Sequence, residues 1–365
     1  MLPAFVQSTL NAIAPLDATA MQQAQTRQDQ LTKPQGSLGR LETLAIQLAG
    51  ITRHARPHLT RKAIIVMAGD HGVTAEGVSA YPSAVTAQMV ANFLEGGAAI
   101  NVLARQVGAR VIVVDMGVAS DLPAHRELLV RKIKHGTHNL ARGPALTYDE
   151  AMRAIVAGIE IINAEIDKGL DLIGVGEMGI GNTTPSSAIV TALTGRPVAE
   201  VTGRGTGLDD AGLAHKIHVI EQALELHGLR SLEQPPHPFT GDSAHALDVL
   251  QKVGGCEIGG LVGVMLGAAA RRLPIVLDGF ITGAAALLAA TMAPRVKDYF
   301  IASHQSVERG HAITLTQLEL KPLFDLQLRL GEGTGAALAM PVLEAACRTL
   351  NEMATFAEAG VSEKI

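Results

Sequence analysis

Two glutamates in this chain stand where a long charged side chain has no helix face to pack on. Glu177 lies within Gly174-Val-Gly-Glu-Met-Gly-Ile-Gly-Asn182, and Glu332 within Gly331-Glu-Gly-Thr-Gly335. Glycine lets backbone N–H groups approach an anion closely, and an adjoining helix N-terminus adds its dipole. Loops of this kind repel carboxylates. An acid held among them implies either a proton taken there or a developing cation stabilised nearby. The plain alternative is a solvated loop acid, the usual state of Glu. Other polar, glycine-bearing turns follow apolar runs: Ala68-Gly-Asp-His71, Asp115-Met-Gly117, Asp278-Gly-Phe-Ile-Thr-Gly283 and Ser303-His304. Thr202-Gly-Arg-Gly-Thr-Gly207 adds a loop without an obvious preceding strand. Several such loops meeting at one sheet edge point to a phosphorylated ligand.

Other chemistries fit less well. Gly174-Val-Gly176-Glu-Met-Gly179 matches GxGxxG after a strand, with Glu200 near the acidic position of a nicotinamide-dinucleotide oxidoreductase. That fingerprint opens its helix within the glycines, whereas Asn182-Thr183-Thr184-Pro185 sets the helix start several residues later. No GxxxxGK[ST] sequence and no GxSxG elbow occur. Asp70, His71, His304 and His311 fit no zinc-hydrolase spacing. They read as turn residues at strand ends rather than metal ligands, and Ser303-His304 also suits a ligand contact. A non-catalytic sensor of a phosphorylated nucleoside would use the same glycine loops and stays open.

The elements that must carry these residues belong to an α/β fold. Short β-branched runs at Ala63–Met67, Ala109–Val114, Leu170–Val175, Leu273–Leu277 and Tyr299–Ala302 alternate with amphipathic segments. Uninterrupted apolar runs of that length suit strands of a parallel sheet buried on both faces. Residues 1–32 read as helical up to Lys33-Pro34-Gln35-Gly36. Ser37 is then the expected N-cap of a helix with Leu38, Leu41, Leu44, Ala45 and Leu48 on one stripe. Thr147-Tyr-Asp-Glu150 is a capping box opening Ala151–Ile166. Asp209-Asp210 opens a helix with Leu213, Ile217, Ile220 and Leu224 on one face. Residues 229–242 read as a loop and 336–357 as helix.

Composition bounds the function. Among 365 residues, 30 Lys+Arg stand against 35 Asp+Glu, a formal charge of −5, which argues against a duplex-binding surface. No Trp, three Tyr and seven Phe leave little to stack single-stranded bases on. Two distant cysteines exclude a disulfide framework. The absence of a basic-then-apolar leader and the short apolar stretch from Gly279 to Ala293 give the expectation of a cytoplasmic protein.

Five motifs occur in order: Lys33-Pro-Gln-Gly-Ser-Leu-Gly-Arg-Leu-Glu42, Met67-Ala-Gly-Asp-His-Gly-Val73, Gly176-Glu-Met-Gly-Ile-Gly-Asn-Thr-Thr184, Gly203-Arg-Gly-Thr-Gly-Leu-Asp-Asp210 and Leu330-Gly-Glu-Gly-Thr-Gly-Ala336. Together they resemble the nicotinate-nucleotide:dimethylbenzimidazole phosphoribosyltransferase family over roughly residues 30 to 348. The resemblance implies a Rossmann-like parallel-sheet catalytic domain over 60–335 and a smaller helical domain from 1–59 and 336–365. It also implies a homodimer and transfer of 5-phosphoribosyl from nicotinate mononucleotide to 5,6-dimethylbenzimidazole, giving α-ribazole 5′-phosphate and nicotinate. By the same resemblance Glu332 is the catalytic base and Glu177 a second carboxylate. Gly176, Gly179, Gly181, Gly203, Gly205, Lys216, Ser306 and Gly333 would contact the phosphoribosyl group. Tyr81, Gln88, Met89 and Leu330 would form the benzimidazole pocket. No cofactor or metal is expected, because the leaving group is a neutral pyridine ring rather than pyrophosphate. The implied partners are these two small molecules, without nucleic acid or membrane.

Overall fold

The computed structural model describes residues 2–229 and 239–362. In chain order, α1 (Ala4–Ala12), α2 (Ala18–Gln30) and α3 (Arg40–Thr52) precede strand β1 (Lys62–Gly69). Helices α4 (Ala84–Leu94) and α5 (Ala99–Gln106) lead to β2 (Ala109–Gly117) and β3 (Leu128–Val130), then α6 (Tyr148–Asp167) and β4 (Leu172–Met178). Next come α7 (Thr183–Thr194), the single turn α8 (Val198–Val201), α9 (Asp210–Leu226), α10 (Ser243–Val253) and α11 (Cys256–Ala270). Strand β5 (Ile275–Leu277), α12 (Phe280–Met292), β6 (Phe300–Ala302), α13 (Arg309–Gln317), α14 (Thr334–Glu352) and α15 (Phe356–Ala359) complete the chain.

The six strands are parallel, in the order β3-β2-β1-β4-β5-β6. Strand order therefore reverses between β1 and β4, and a crevice forms outside their carboxyl ends at such a point. All eight residues of β1 are buried. Alternation assigns them to two faces: Ala63, Ile65 and Met67 join the cluster with α6, α11 and α12. Ile64, Val66 and Ala68 join the cluster with α3, α5 and α14. The terminal helices α2, α3 and α14 pack on one another and share that second cluster with the sheet. Among the described residues no helix is long and apolar enough to cross a membrane.

Several sequence expectations are met, and the exceptions have local causes. The capping box is present: Glu150 accepts from the N–H of Thr147 at 2.8 Å, and the Thr147 hydroxyl accepts from the N–H of Glu150 at 3.2 Å. Ser37 does not cap α3. Gly39, at φ 54°, holds the N-cap position, because the Leu38 N–H is bound by Glu42 and drawn out of the helix. The segment expected as helical holds two helices, α1 and α2, separated around Pro15, with Asp17 capping the second through the Ala20 N–H. The strand expected at Leu170–Val175 runs from Leu172 to Met178, so Glu177 falls inside it, one residue before its end. Strand β3 is unforeseen: it has three residues, of which only Leu128 is buried. The terminal helix divides into α14 and α15. Residues 230–238 of the loop expected over 229–242 lie outside the described residues.

Glycine has a second use besides turns. A Cβ at Gly158 of α6 would sit 2.0 Å from the Gly260 carbonyl oxygen, and one at Gly263 of α11 would sit 2.0 Å from that of Ile155. The two helices meet backbone to backbone, which only side-chain-free positions permit.

Candidate active site

A cavity of about 470 Å³ opens beyond the carboxyl end of β4, beside the reversal of strand order. Both glutamates singled out from the sequence line it. They reach it in different ways.

Glu332 arrives on the turn that precedes α14. Gly331, Glu332 and Gly333 have φ values of 84°, 64° and 88°, three left-handed residues in succession. For the glutamate this conformation costs on the order of 1–3 kcal/mol, and the surroundings must hold it in place. Its carboxylate accepts the Ile100 N–H at 3.1 Å, in the first turn of α5. Burial raises its pKa above the ordinary carboxylate range, against that hydrogen bond. Behind the turn, β4 passes so close that a Cβ at Gly176 would lie 2.5 Å from the Glu332 carbonyl carbon and oxygen.

Glu177 sits near the end of β4, and Asn182 donates a hydrogen bond to its carboxylate. Burial drives its pKa up to about 8; the Asn182 bond opposes this, and the carboxylates of Asp278, Glu257 and Glu332 add to it. A third acid, Asp278, follows β5 and accepts the N–H groups of Gly335 at 2.7 Å, Gly333 at 3.1 Å and Ala336 at 3.3 Å. Its own pKa is pushed up to about 7 by burial, in spite of those three donors.

The cationic side of the site is built from α9 and α7. Lys216, fully buried, donates to the Thr183 hydroxyl at 2.6 Å, and Thr183 is the first residue of α7 and lines the cavity. Burial lowers the lysine pKa to about 8, against the pull of Glu308. A Cβ at Gly205 would lie 2.8 Å from the Thr183 hydroxyl and 3.2 Å from Lys216 Nζ. The Gly205 N–H donates to Glu308 at 3.0 Å, and a Cβ at Gly203 would collide with the same carboxylate. A helix N-terminus, a glycine loop and a buried ammonium thus converge, which suits a phosphate.

Of the residues singled out from the sequence, Glu177, Gly179, Gly181, Gly205, Ser306, Met89, Tyr81, Leu330 and Glu332 line the cavity, with Tyr81 and Leu330 exposed near its mouth. Gly176 lies behind the Glu332 turn, Gly333 is part of that turn, Gly203 packs on Glu308, and Lys216 stands behind Thr183. Gln88 is exposed on α4, away from the lining. The fully buried face of α9 runs through Lys216, Val219, Ile220, Ala223 and Leu224, while Leu213 and Ile217 are half-buried.

Sequence reasoning named the Asp278 turn without giving its carboxylate a role and passed over Glu308, an acid in the connection from β6 to α13. The dinucleotide reading fails on position: Gly174 and Gly176 are inside β4, and α7 starts only at Thr183. Asp70 and His71 end β1, where the His71 imidazole meets Glu257 at 2.6 Å with neither side chain exposed. Burial lowers the His71 pKa, but Glu257 and Asp70 more than offset it, so the net shift is upward. His304 lines the cavity, while His311 accepts the Ser306 N–H at 2.9 Å and is held neutral by burial, its pKa down to about 3. Among the described residues no group of three His, Cys, Asp or Glu is placed to hold a metal ion.

Comparison with known proteins adds the family. Residues 13–361 match the phosphoribosyltransferase family model. A nicotinate-nucleotide–dimethylbenzimidazole phosphoribosyltransferase of Chloroflexus aggregans is 64% identical over 356 residues, covering 98% of each chain. One of Chloroflexus aurantiacus is 62% identical over 360 residues, covering 99% of each. A solved enzyme of that name from Thermus thermophilus superposes with a TM-score of 0.87 at 47% identity, over 96% of this chain and 100% of its own.

Proposed function

The chain belongs to the nicotinate-nucleotide–dimethylbenzimidazole phosphoribosyltransferase family, and on that premise we propose that it moves the 5-phosphoribosyl group of nicotinate mononucleotide onto 5,6-dimethylbenzimidazole. The products are α-ribazole 5′-phosphate and nicotinate. The observation that carries this reading at the level of chemistry is the Glu332 carboxylate, buried at a cavity that also holds the α7 N-terminus.

Nicotinate mononucleotide carries a pyridinium at C1′, so its base departs as a neutral ring and needs no general acid. Dimethylbenzimidazole attacks C1′ through one ring nitrogen while the other bears a proton. Glu332 takes that proton, which makes the attacking nitrogen more electron-rich and leaves the product uncharged at the azole. A carboxylate whose pKa burial has raised is a stronger base than a solvated one. The Gly179–Thr183 loop and Lys216 bind the 5′-phosphate, with Ser306 and Gly205 toward the ribose. Tyr81, Met89 and Leu330 give the azole its apolar wall. Glu177 faces the sugar and stabilises the developing oxocarbenium when ionised.

Purified protein incubated with both substrates should yield α-ribazole phosphate and nicotinate in equal amounts by chromatography with mass detection. Nucleotide binding without product would instead favour the sensor reading and end this one. We also assign a homodimer in the cytoplasm, with 1–59 and 336–365 as a smaller helical domain. Light scattering at about twice the 38.1 kDa chain mass, with the protein in the soluble fraction of cells, supports the first two. Limited proteolysis that cuts first near residues 59 and 336 supports the third.

A further inference from the structure

We infer that Asp278 is the positioning residue for Glu332, acting through the backbone of the turn that carries it. This rests on Glu332 being the base. Within the turn the Thr334 N–H and hydroxyl both donate to the Gly331 carbonyl, at 3.1 and 2.8 Å, but three consecutive left-handed residues, one of them not glycine, call for further support. Helix α14, which follows, lacks a capping side chain of its own, since its N-cap residue is Gly333. A carboxylate from the end of β5 takes that place. One oxygen of Asp278 accepts the Gly333 N–H, and the other accepts those of Gly335 and Ala336. Gly333 N belongs to the peptide that begins at Glu332, so one of these bonds fixes the plane next to the base.

The opposite side of the same peptide is fixed by contact. A Cβ at Gly176 would lie 2.5 Å from the Gly333 nitrogen and from the Glu332 carbonyl, so β4 presses directly on it. Gly335 is confined as well, since a Cβ there would clash with His304 Nδ1 and lie 2.9 Å from Asp278 Oδ1. The base is therefore suspended between two strands of the sheet, β4 by packing and β5 through Asp278. Among the described residues its own carboxylate has a single hydrogen bond, from the Ile100 N–H, and Glu332 lines the cavity. An ordinary helix cap would come from the neighbouring residue and tie nothing to the sheet. This one spans 55 residues of sequence.

The test is a double-mutant cycle of Asp278→Asn with Glu332→Gln, reading kcat, KM for both substrates and thermal stability. An acid misplaced by about 1 Å costs on the order of 10²-fold. Asp278→Asn alone should lower kcat by roughly 10- to 10²-fold with KM for the nucleotide nearly unchanged. In the Glu332→Gln background the same substitution should change kcat less than about 3-fold, because there is no base left to misplace. An equal loss in both backgrounds overturns the inference and makes Asp278 a structural cap only. Wild-type kcat in Glu332→Gln alone would instead defeat the reading of Glu332 as base. Should Asp278→Asn fail to fold, Asp278→Glu, which keeps the charge but moves its oxygens, enters the same cycle with the same two outcomes.

Discussion

The end of β4 and the turn before α14 are alike in composition, each setting a glutamate among glycines, yet they hold their acids in different surroundings. Glu177 is in the extended backbone of a strand, enclosed, and its carboxylate accepts the Asn182 amide. Burial carries its pKa to about 8, so it is protonated in the free protein near neutral pH. Glu332 is on a strained turn, bonded to a helix N-terminus, and its upward shift is the smaller of the two. Environment rather than residue type therefore sets the two acids apart, a division that recurs where two carboxylates share a site.

That contrast can be broken most sharply at Glu332. Glu332→Gln should lower kcat by about 10²–10⁴-fold, the usual worth of a general base, with nucleotide KM within a few-fold of wild type. Steady-state assays of α-ribazole phosphate formation decide it. Next in size is the strain itself. Gly333→Ala places a Cβ at φ 88° and 2.6 Å from Ile64, and should cost about 1–3 kcal/mol of stability by denaturant titration. No change in stability would mean that the turn relaxes at no cost.

Glu177→Gln should be milder, about tenfold or less near pH 7, because the amide replaces a group that is already neutral and hydrogen-bonded. The deficit should widen above pH 8, where the native carboxyl ionises; an effect equal to that of Glu332→Gln would erase the distinction drawn between the two. The smallest effect is a proton count. A pyridinium entering beside Glu177 favours its ionised form, so nucleotide binding near pH 7 should release a fraction of a proton per site while the carboxyl stays mostly neutral. Calorimetry in two buffers of different ionisation enthalpy measures this, and proton uptake would reverse the assignment. The sign for Glu332 is opposite in use: kcat/KM should fall as pH drops through its raised pKa, with an acid limb above the value of about 4.3 for a free glutamate.

Parts of this were legible in the linear chain and parts were not. Apolar runs announced five of the six strands, and the Thr147–Glu150 pair announced a helix start, because periodicity and caps are local. The three-residue β3 escaped, having too few side chains to show a pattern. Glu332 stood out because a charged residue between glycines has no packing role to explain it. Lys216 fell on a helix whose buried face includes Ile220 and Leu224 of the expected stripe but takes Lys216, Val219 and Ala223 in place of Leu213 and Ile217, and its complete burial could not be inferred.

By itself, the sequence determined the layered α/β class, the motifs that carry the family, and the two acids on glycine loops. These depend on residue type and short spacing. Only the tertiary structure decided which acid keeps its proton, that Gly176 serves a close backbone contact, and that Asp278 holds a turn 55 residues away. Desolvation and long-range hydrogen bonds are set by what surrounds a group in space, and no local pattern records those neighbours.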